Sequence, residues 1–352
     1  MDELVVVTGG TGYIAGWCIA ELLQRGYHVR ATVRSAARGE RVRNAVAQFP
    51  GADDRLSFGE ADLTQDAGWD AVMDGATHVL HVASPLGEGT ANADRDALVG
   101  PARDGTLRVL GAAVRARVRR VVMTSAANAA SPSSYASDGV TDETLWTDPD
   151  DPTIIPYRRS KTLAERAAWD FMAEHGATYG GATSLATILP GAVFGPILTT
   201  DTIGSVGIIS RMVAGSMPGV PRIGLEIVDV RDLADIHLHA MTSDAAAGER
   251  FLATGEFMWM RDMALTLRAQ LGPDGARIAT RQLPDFAVRF AARFTDPSLR
   301  AITPSLGRRN RHSIEKARRV LGWQPRPAAE TVVDCARSLL EHGVVQRRQT
   351  SK

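Results

Sequence analysis

Apolar residues fall into two rhythms along the first half of this chain. Short runs, either unbroken or alternating, have the length and β-branched content of strands: LVVVT (4–8), HVRATV (28–33), RLSFGEA (55–61), THVLHVA (77–83), RRVVMTS (119–125) and TSLATIL (183–189). Between them lie longer stretches with apolar residues three and four apart. GYIAGWCIAELLQRG (12–26), residues 93–117 and YRRSKTLAERAAWDFMAEHG from Tyr157 predict helices, the last one strongly amphipathic. Strand, helix, strand repeated in this way predicts an α/β fold, a doubly wound parallel-sheet Rossmann domain with helices on both faces.

The rhythm loosens after residue 190, where Gly and Pro thicken through GAVFGPILTT and AGSMPGVPRIG. VDVRDLADIHLHAM (228–241) reads as a strand end leading into a helix that returns to the sheet, and a last helix is expected near 328–342. The expected division is a Rossmann domain over 1–190 with 225–243 returning to it, a smaller C-terminal substrate lobe over 191–224 and 244–345, and a frayed tail at 346–352. Nothing in the pattern repeats.

Composition narrows the partners. The 352 residues carry a formal net charge of zero, which gives no electrostatic case for a nucleic-acid or membrane partner. Cys18 and Cys335 form neither a disulfide framework nor a metal-ligand spacing, which suits a reducing cytoplasm. The chain starts almost at once on a strand-like run, so no signal peptide is expected, and no stretch has the length of a transmembrane helix. Of 40 basic residues only three are lysines, Lys161, Lys316 and Lys352, so a mid-chain lysine asks for a reason.

The first strand runs into TGGTGYIAG, where Gly9, Gly12 and Ala15 follow the GxxGxxG-type dinucleotide fingerprint. Gly9 permits the tight turn and Gly12 lets backbone approach a pyrophosphate. The helix that follows offers free N–H groups and a positive dipole end. Thr8, Gly9, Gly12, Tyr13 and Ile14 are therefore expected to bind a dinucleotide. No acidic residue stands between Val29 and Gly39 to hold a ribose 2′-hydroxyl. Arg34 stands there, with Arg38 and Arg41 following, so a 2′-phosphate and hence NADP(H) is expected. Asp62 and Leu63, past the third strand, are placed at the adenine edge, with a helix N-cap as the other role open to Asp62.

Tyr157 and Lys161 lie four apart on the long helix, on one face and one turn apart. A phenol is a poor acid–base group at neutral pH. An ammonium beside it favours the phenolate, which is expected to draw the Tyr157 pKa toward the working range.

TGGTGYIA, VRATVRS, HVASP, the YRRSK helix, LPGAVFGP and RRNRHSIEKARRVLGWQPR together resemble the extended short-chain dehydrogenase/reductase superfamily. Within it they resemble the dihydroflavonol-reductase-like branch, which holds cinnamoyl-CoA reductases and microbial aldehyde and ketone reductases. The resemblance implies hydride delivery from NADPH to a carbonyl, with Tyr157 as proton donor and Lys161 holding the nicotinamide ribose. It implies cofactor contacts at Val82, Ala83, Ser84, Pro190, Gly191, Val193 and Ser205. It also implies an orienting serine after the strand containing VVM. Relatives commonly read TSS there, and this chain reads Thr124-Ser125-Ala126, so the matching position has no hydroxyl. Ser125, Asn128, Ser131 or a water is left to fill that role, with Ser125 taken as the candidate.

Asp229, Asp232, Asp235, His237 and His239 crowd together without an established ligand spacing, and they read as a strand end, a helix cap and a helix surface, with no metal expected. His81 reads as a satisfied core histidine. FMWM (257–260) reads as a core strand or a pocket wall. The expectation is a cytoplasmic carbonyl reductase acting on a small to medium aldehyde or ketone, monomeric or homodimeric, with loops in 84–100 and 195–225 setting specificity. Its rivals are a nucleotide-sugar epimerase or dehydratase with NAD, and a non-catalytic NADP-binding sensor motivated by Ala126.

Overall fold

A computed structural model describes residues 3–52, 54–84, 96–132, 138–176, 183–200 and 204–347. Parts of both expected specificity loops, 85–95 and 201–203, and the tail from 348 lie outside the described residues. The first half alternates as its apolar rhythm requires: β1 (Leu4–Val7), α1 (Tyr13–Gln24), β2 (His28–Val33), α2 (Ala36–Val46), β3 (Leu56–Glu60), α3 (Trp69–Met73), β4 (His78–His81), α4 (Val99–Arg115), β5 (Arg120–Thr124), β6 (Gly139–Thr141), α5 (Pro156–His175) and β7 (Ser184–Pro190). The second half holds β8 (Ala192–Phe194), α6 (Val206–Ala214), β9 (Gly224–Asp229), α7 (Val230–Thr242), β10 (Glu249–Ala253), β11 (Phe257–Trp259), α8 (Met260–Gln270), α9 (Asp285–Phe294), β12 (Asn310–His312), α10 (Glu315–Leu321) and α11 (Ala328–Glu341).

Seven strands form one parallel sheet in the order β10-β7-β5-β4-β1-β2-β3. Val5, Val7, Val29, Leu80 and Val122 pack toward α1 and α7, while Val6, Val79, Val121 and Leu185 pack toward α3, α4 and α5. Burial on both faces is why these strands read as near-continuous apolar runs. The expected return of the chain to the sheet is α7, which packs beside α1.

Two parts of the stretch assigned to the second lobe pack with the main sheet. β10 falls within the stretch assigned to the second lobe, yet it pairs with β7 from Glu249↔Ala186 to Ala253↔Pro190 and forms the edge of the main sheet. Trp323, also from that stretch, is buried in the core under α1 and α7. The second lobe has its own core of α6, α8 and α11 over β8 and β9. Arg231 ties the two parts, bonding Asp229 at 2.8 Å and Asp334 on α11 at 2.7 Å.

Candidate active site

Strand order reverses between β1 and β4, and in a doubly wound sheet the crevice opens there, beyond the carboxyl ends of the strands. Thr8-Gly9 leaves β1 beside Val82-Ala83 leaving β4. Gly9 has φ +70°, and a Cβ on it would lie 2.9 Å from the Cβ of Ala83, so the turn admits only glycine. Gly12 enters α1 with extended backbone and no side-chain cap, which leaves the first-turn N–H groups at Tyr13 and Ile14 for an anion.

Thr8 fixes the two turns to each other. Its Oγ1 accepts from Ala83 N–H at 3.0 Å and donates to His81 Nδ1 at 2.9 Å. His81 Nε2 then donates to Thr106 Oγ1 at 3.3 Å, which donates to Ala102 O at 2.9 Å. His81 is thus a fully bonded neutral core residue, and burial, with Lys161 adding, pulls it to about 3.

The residues expected at the adenosine end lie past β2 and β3. Arg34 is exposed and makes no hydrogen bond or ion pair among the described residues, and half-buried Arg38 and exposed Arg41 line a concavity with Gly10, Thr11 and Gly12. Asp62 bonds the N–H and hydroxyl of Thr64, both at 2.8 Å, which holds its carboxyl below the usual range. It therefore caps a tight turn; the next helix, α3, is entered through Gly68, so the helix-cap alternative for Asp62 does not apply. Leu63 packs on Gly105 of α4, and partly buried Ser84 follows Ala83.

The other end lies past β5 and β7. Pro190 closes β7, and Gly191 passes so near β9 that a Cβ would sit 2.5 Å from Glu226 O; Val193 follows in β8. Ser205 enters α6 in the second lobe and makes no side-chain cap bond. Pro156 starts α5, and Tyr157 lies in its first turn. The Tyr157 hydroxyl makes no hydrogen bond among the described residues. Lys161, one turn on, falls on the buried stripe with Ala164, Glu165 and Ala168, and its Nζ donates to Thr124 O at 3.5 Å. Thr124 is set in turn by His237, whose Nε2 accepts from Thr124 Oγ1 at 2.7 Å while Nδ1 donates to Leu233 O at 2.7 Å. Burial pulls His237 to about 4.

Charge at this pair departs from the sequence expectation. Burial pushes Tyr157 up to about 12, not down. Lys161 is itself drawn down to about 8 by burial, against the pull of Glu165. An ammonium that is desolvated and turned to a backbone carbonyl gives the phenolate little help.

The missing hydroxyl has a clear geometry. Ala126 and Ala127 are buried at the start of a short 3-10 turn, Ala127–Ala130, that packs against α5. Ser125, the candidate from sequence, donates its hydroxyl to Glu165 Oε2 at 2.6 Å and is thereby committed elsewhere. Ser131 donates to Ala127 O at 2.7 Å and meets His312 Nε2 at 2.9 Å. Asn128 is the one residue of the turn not buried, and its side-chain amide has no partner among the described residues.

Two supporting clusters escaped the sequence reading. Glu165, fully buried, accepts from Ser125, Thr187 (2.8 Å) and Arg250 (2.8 Å); Arg250 also reaches Glu143 O at 2.6 Å and stacks 3.6 Å over the Trp146 ring. In the second, the His312 Nδ1 and Glu226 Oε2 atoms are bonded, and His312 Nε2 reaches Ser131, tying β9 and β12 to the turn after β5. The crowded acids have partners of their own: Asp229 caps α7 and holds Arg231, Asp232 holds Arg326, and Asp235 holds Arg25. In FMWM, Phe257 and Trp259 are half-buried and stack edge to face at 5.0 Å, and Met260 is buried.

A model of the NAD dependent epimerase/dehydratase family matches residues 5–253. Among curated proteins, the chain is 35% identical over 257 residues to cinnamoyl-CoA reductase CAD2 of Medicago truncatula, spanning 72% of this chain and 76% of that one. It is 32% identical over 271 residues to dihydroflavonol 4-reductase of Zea mays, spanning 75% and 73%. Among solved structures, yeast methylglyoxal/isovaleraldehyde reductase Gre2 complexed with NADPH superposes with a TM-score of 0.80 at 23% identity, covering 97% of this chain and 99% of that one. Gre2 in complex with NADPH from Candida albicans gives a TM-score of 0.78 at 26% identity, with the same coverage.

Proposed function

The chain belongs to the NAD dependent epimerase/dehydratase family, the extended short-chain dehydrogenase/reductase group, and from that premise we propose that it reduces the carbonyl of a small to medium aldehyde or ketone with NADPH. The observation that carries this reading is the Tyr157 hydroxyl, without a hydrogen bond among the described residues, one helical turn from buried Lys161, whose Nζ reaches the end of β5. The turn residues fit a dinucleotide: Gly9 and Gly12 leave room for backbone approach, α1 presents uncapped N–H groups, and exposed Arg34, which makes no hydrogen bond or ion pair among the described residues, can take a 2′-phosphate.

NADPH, when bound, supplies the hydride. Tyr157 gives its proton to the carbonyl oxygen as charge develops there, and its raised pKa keeps that proton in place in the cofactor-free enzyme. Lys161, anchored on Thr124 O, turns its remaining donors to ribose hydroxyls. Asn128 supplies the donor that the serine hydroxyl would otherwise give. It is the group on the turn with an uncommitted N–H, whereas Ser125 and Ser131 are both engaged. The reading in which Ala126 leaves only an NADP-binding sensor is separated by rate: a sensor binds NADPH but does not oxidise it faster when carbonyls are added.

The test is NADPH consumption over a panel of aldehydes, ketones and diketones with NADH as control. Turnover with at least one carbonyl is expected, with NADPH preferred. Arg34→Ala should narrow that preference by roughly tenfold or more through the lost 2′-phosphate contact. Tight NADPH binding without turnover on any carbonyl would overturn the reductase reading.

A further inference from the structure

The outer face of α9 has no counterpart in the reductase reading. Phe286, Phe290 and Phe294 are 76%, 61% and 65% exposed, and they account for three of the five exposed large apolar side chains among the described residues. Spacing of four puts them in one stripe, with Phe290 and Phe294 in contact at 4.8 Å. The opposite face of α9 is already satisfied, with Val288 and Ala292 buried. A helix apolar on both sides, one of them open to water, marks an interaction surface.

Charge says what covers it. The whole chain is neutral, but residues 277–311 hold eight arginines and two aspartates, a net of six positive charges. All eight arginines are exposed, and none makes an ion pair among the described residues. Arg289 and Arg293 flank the stripe directly. Zero overall charge, which argued against a membrane partner, is the sum of a basic stretch of chain here and an acidic excess elsewhere; within it Arg300 turns to Ala292 O and Arg309 to the Phe257 ring, which leaves Arg289 and Arg293 beside the stripe.

We propose that α9 docks on an anionic phospholipid surface, with the three phenylalanines entering the acyl boundary and Arg289 and Arg293 meeting lipid phosphates. A second copy of this chain fits less well. A two-fold contact would set the same arginines against each other. Three phenylalanines offer roughly 400 Å², against about 800 Å² per partner in a stable interface.

Sedimentation with vesicles of phosphatidylcholine and phosphatidylglycerol at low salt, against phosphatidylcholine alone, tests the docking. Wild-type protein should sediment with the anionic vesicles and be released by salt. Arg289→Glu with Arg293→Glu should weaken binding by roughly thirtyfold or more. The triple variant Phe286→Ser, Phe290→Ser, Phe294→Ser should weaken it by roughly tenfold or more. Both variants should keep wild-type NADPH binding, so that failure of the docking idea and failure of the reductase reading are told apart. A Phe290→Trp variant should shift its emission to the blue on anionic vesicles. No sedimentation with anionic vesicles, or sedimentation indifferent to the phenylalanines, overturns the proposal. So does a lipid-free dimer by light scattering that the triple serine variant converts to monomer, since a second copy would then cover the face.

Discussion

With burial drawing Lys161 to about 8 and pushing Tyr157 to about 12, the two groups titrate well apart. Tyr157 therefore stays protonated across the neutral range, and the proposed mechanism puts the alkaline limit on Lys161. The NADPH dissociation constant of the free enzyme should rise as pH passes through about 8; Lys161→Met should remove that inflection and Tyr157→Phe should keep it, as fluorescence titration would show. The linkage sign follows. Lys161 is depressed from its ordinary 10.5, so between about 8 and 10.5 the unfolded chain binds more protons, and this residue makes stability rise with pH in that window. Asn128→Ala should lower kcat by about a hundredfold, the cost of one orienting donor. Ala126→Ser in that background should restore activity. An unchanged kcat in Asn128→Ala would remove Asn128 from the site.

The turn that carries Asn128 is held from beneath by an element whose role the sequence hid. β10 sends Arg250 under the sheet edge to Glu165 of α5, which takes the hydroxyl of Ser125, the residue beside the alanine that stands where the family pattern has its orienting serine. Removing one partner of so buried a pair leaves the other charge stranded, so Arg250→Met should cost about 3–5 kcal/mol in urea unfolding. Adding Glu165→Leu should recover much of that loss. β1, β4, β5 and α5 were legible because their signal is local: an apolar run, or a stripe with period near 3.6. β10 was not, because ERFLA begins with two charges and gains its strand character only by pairing with β7 some sixty residues earlier. Glu165 was hidden for a related reason, since a glutamate on a helix reads as solvent-facing until its partners are known. Ser131, Glu226 and His312 are scattered through the chain, and only the folded arrangement joins them.

Across the whole molecule, the parallel sheet brings Thr8, Gly9, Val82, Ala83, Tyr157, Lys161 and Gly191 to one end of its strands; the fingerprint pointed to Thr8 and Gly9 and the helix motif to Tyr157 and Lys161, while Val82, Ala83 and Gly191 rested on the family resemblance. What stayed out of reach was long-range: how the second lobe shares its strand and its tryptophan with the first, and how α9 turns three phenylalanines outward. The central claim is that this crevice moves a hydride from NADPH to a carbonyl while Tyr157 supplies the proton. The most direct measurement is mass spectrometry of the product formed from an aldehyde or ketone and NADPH deuterated at the transferring position of the nicotinamide. The account predicts an alcohol carrying the deuterium, formed at least about a hundredfold more slowly by Tyr157→Phe although that variant still binds NADPH. A deuterium-free product, or a Tyr157→Phe enzyme as fast as wild type, would contradict it.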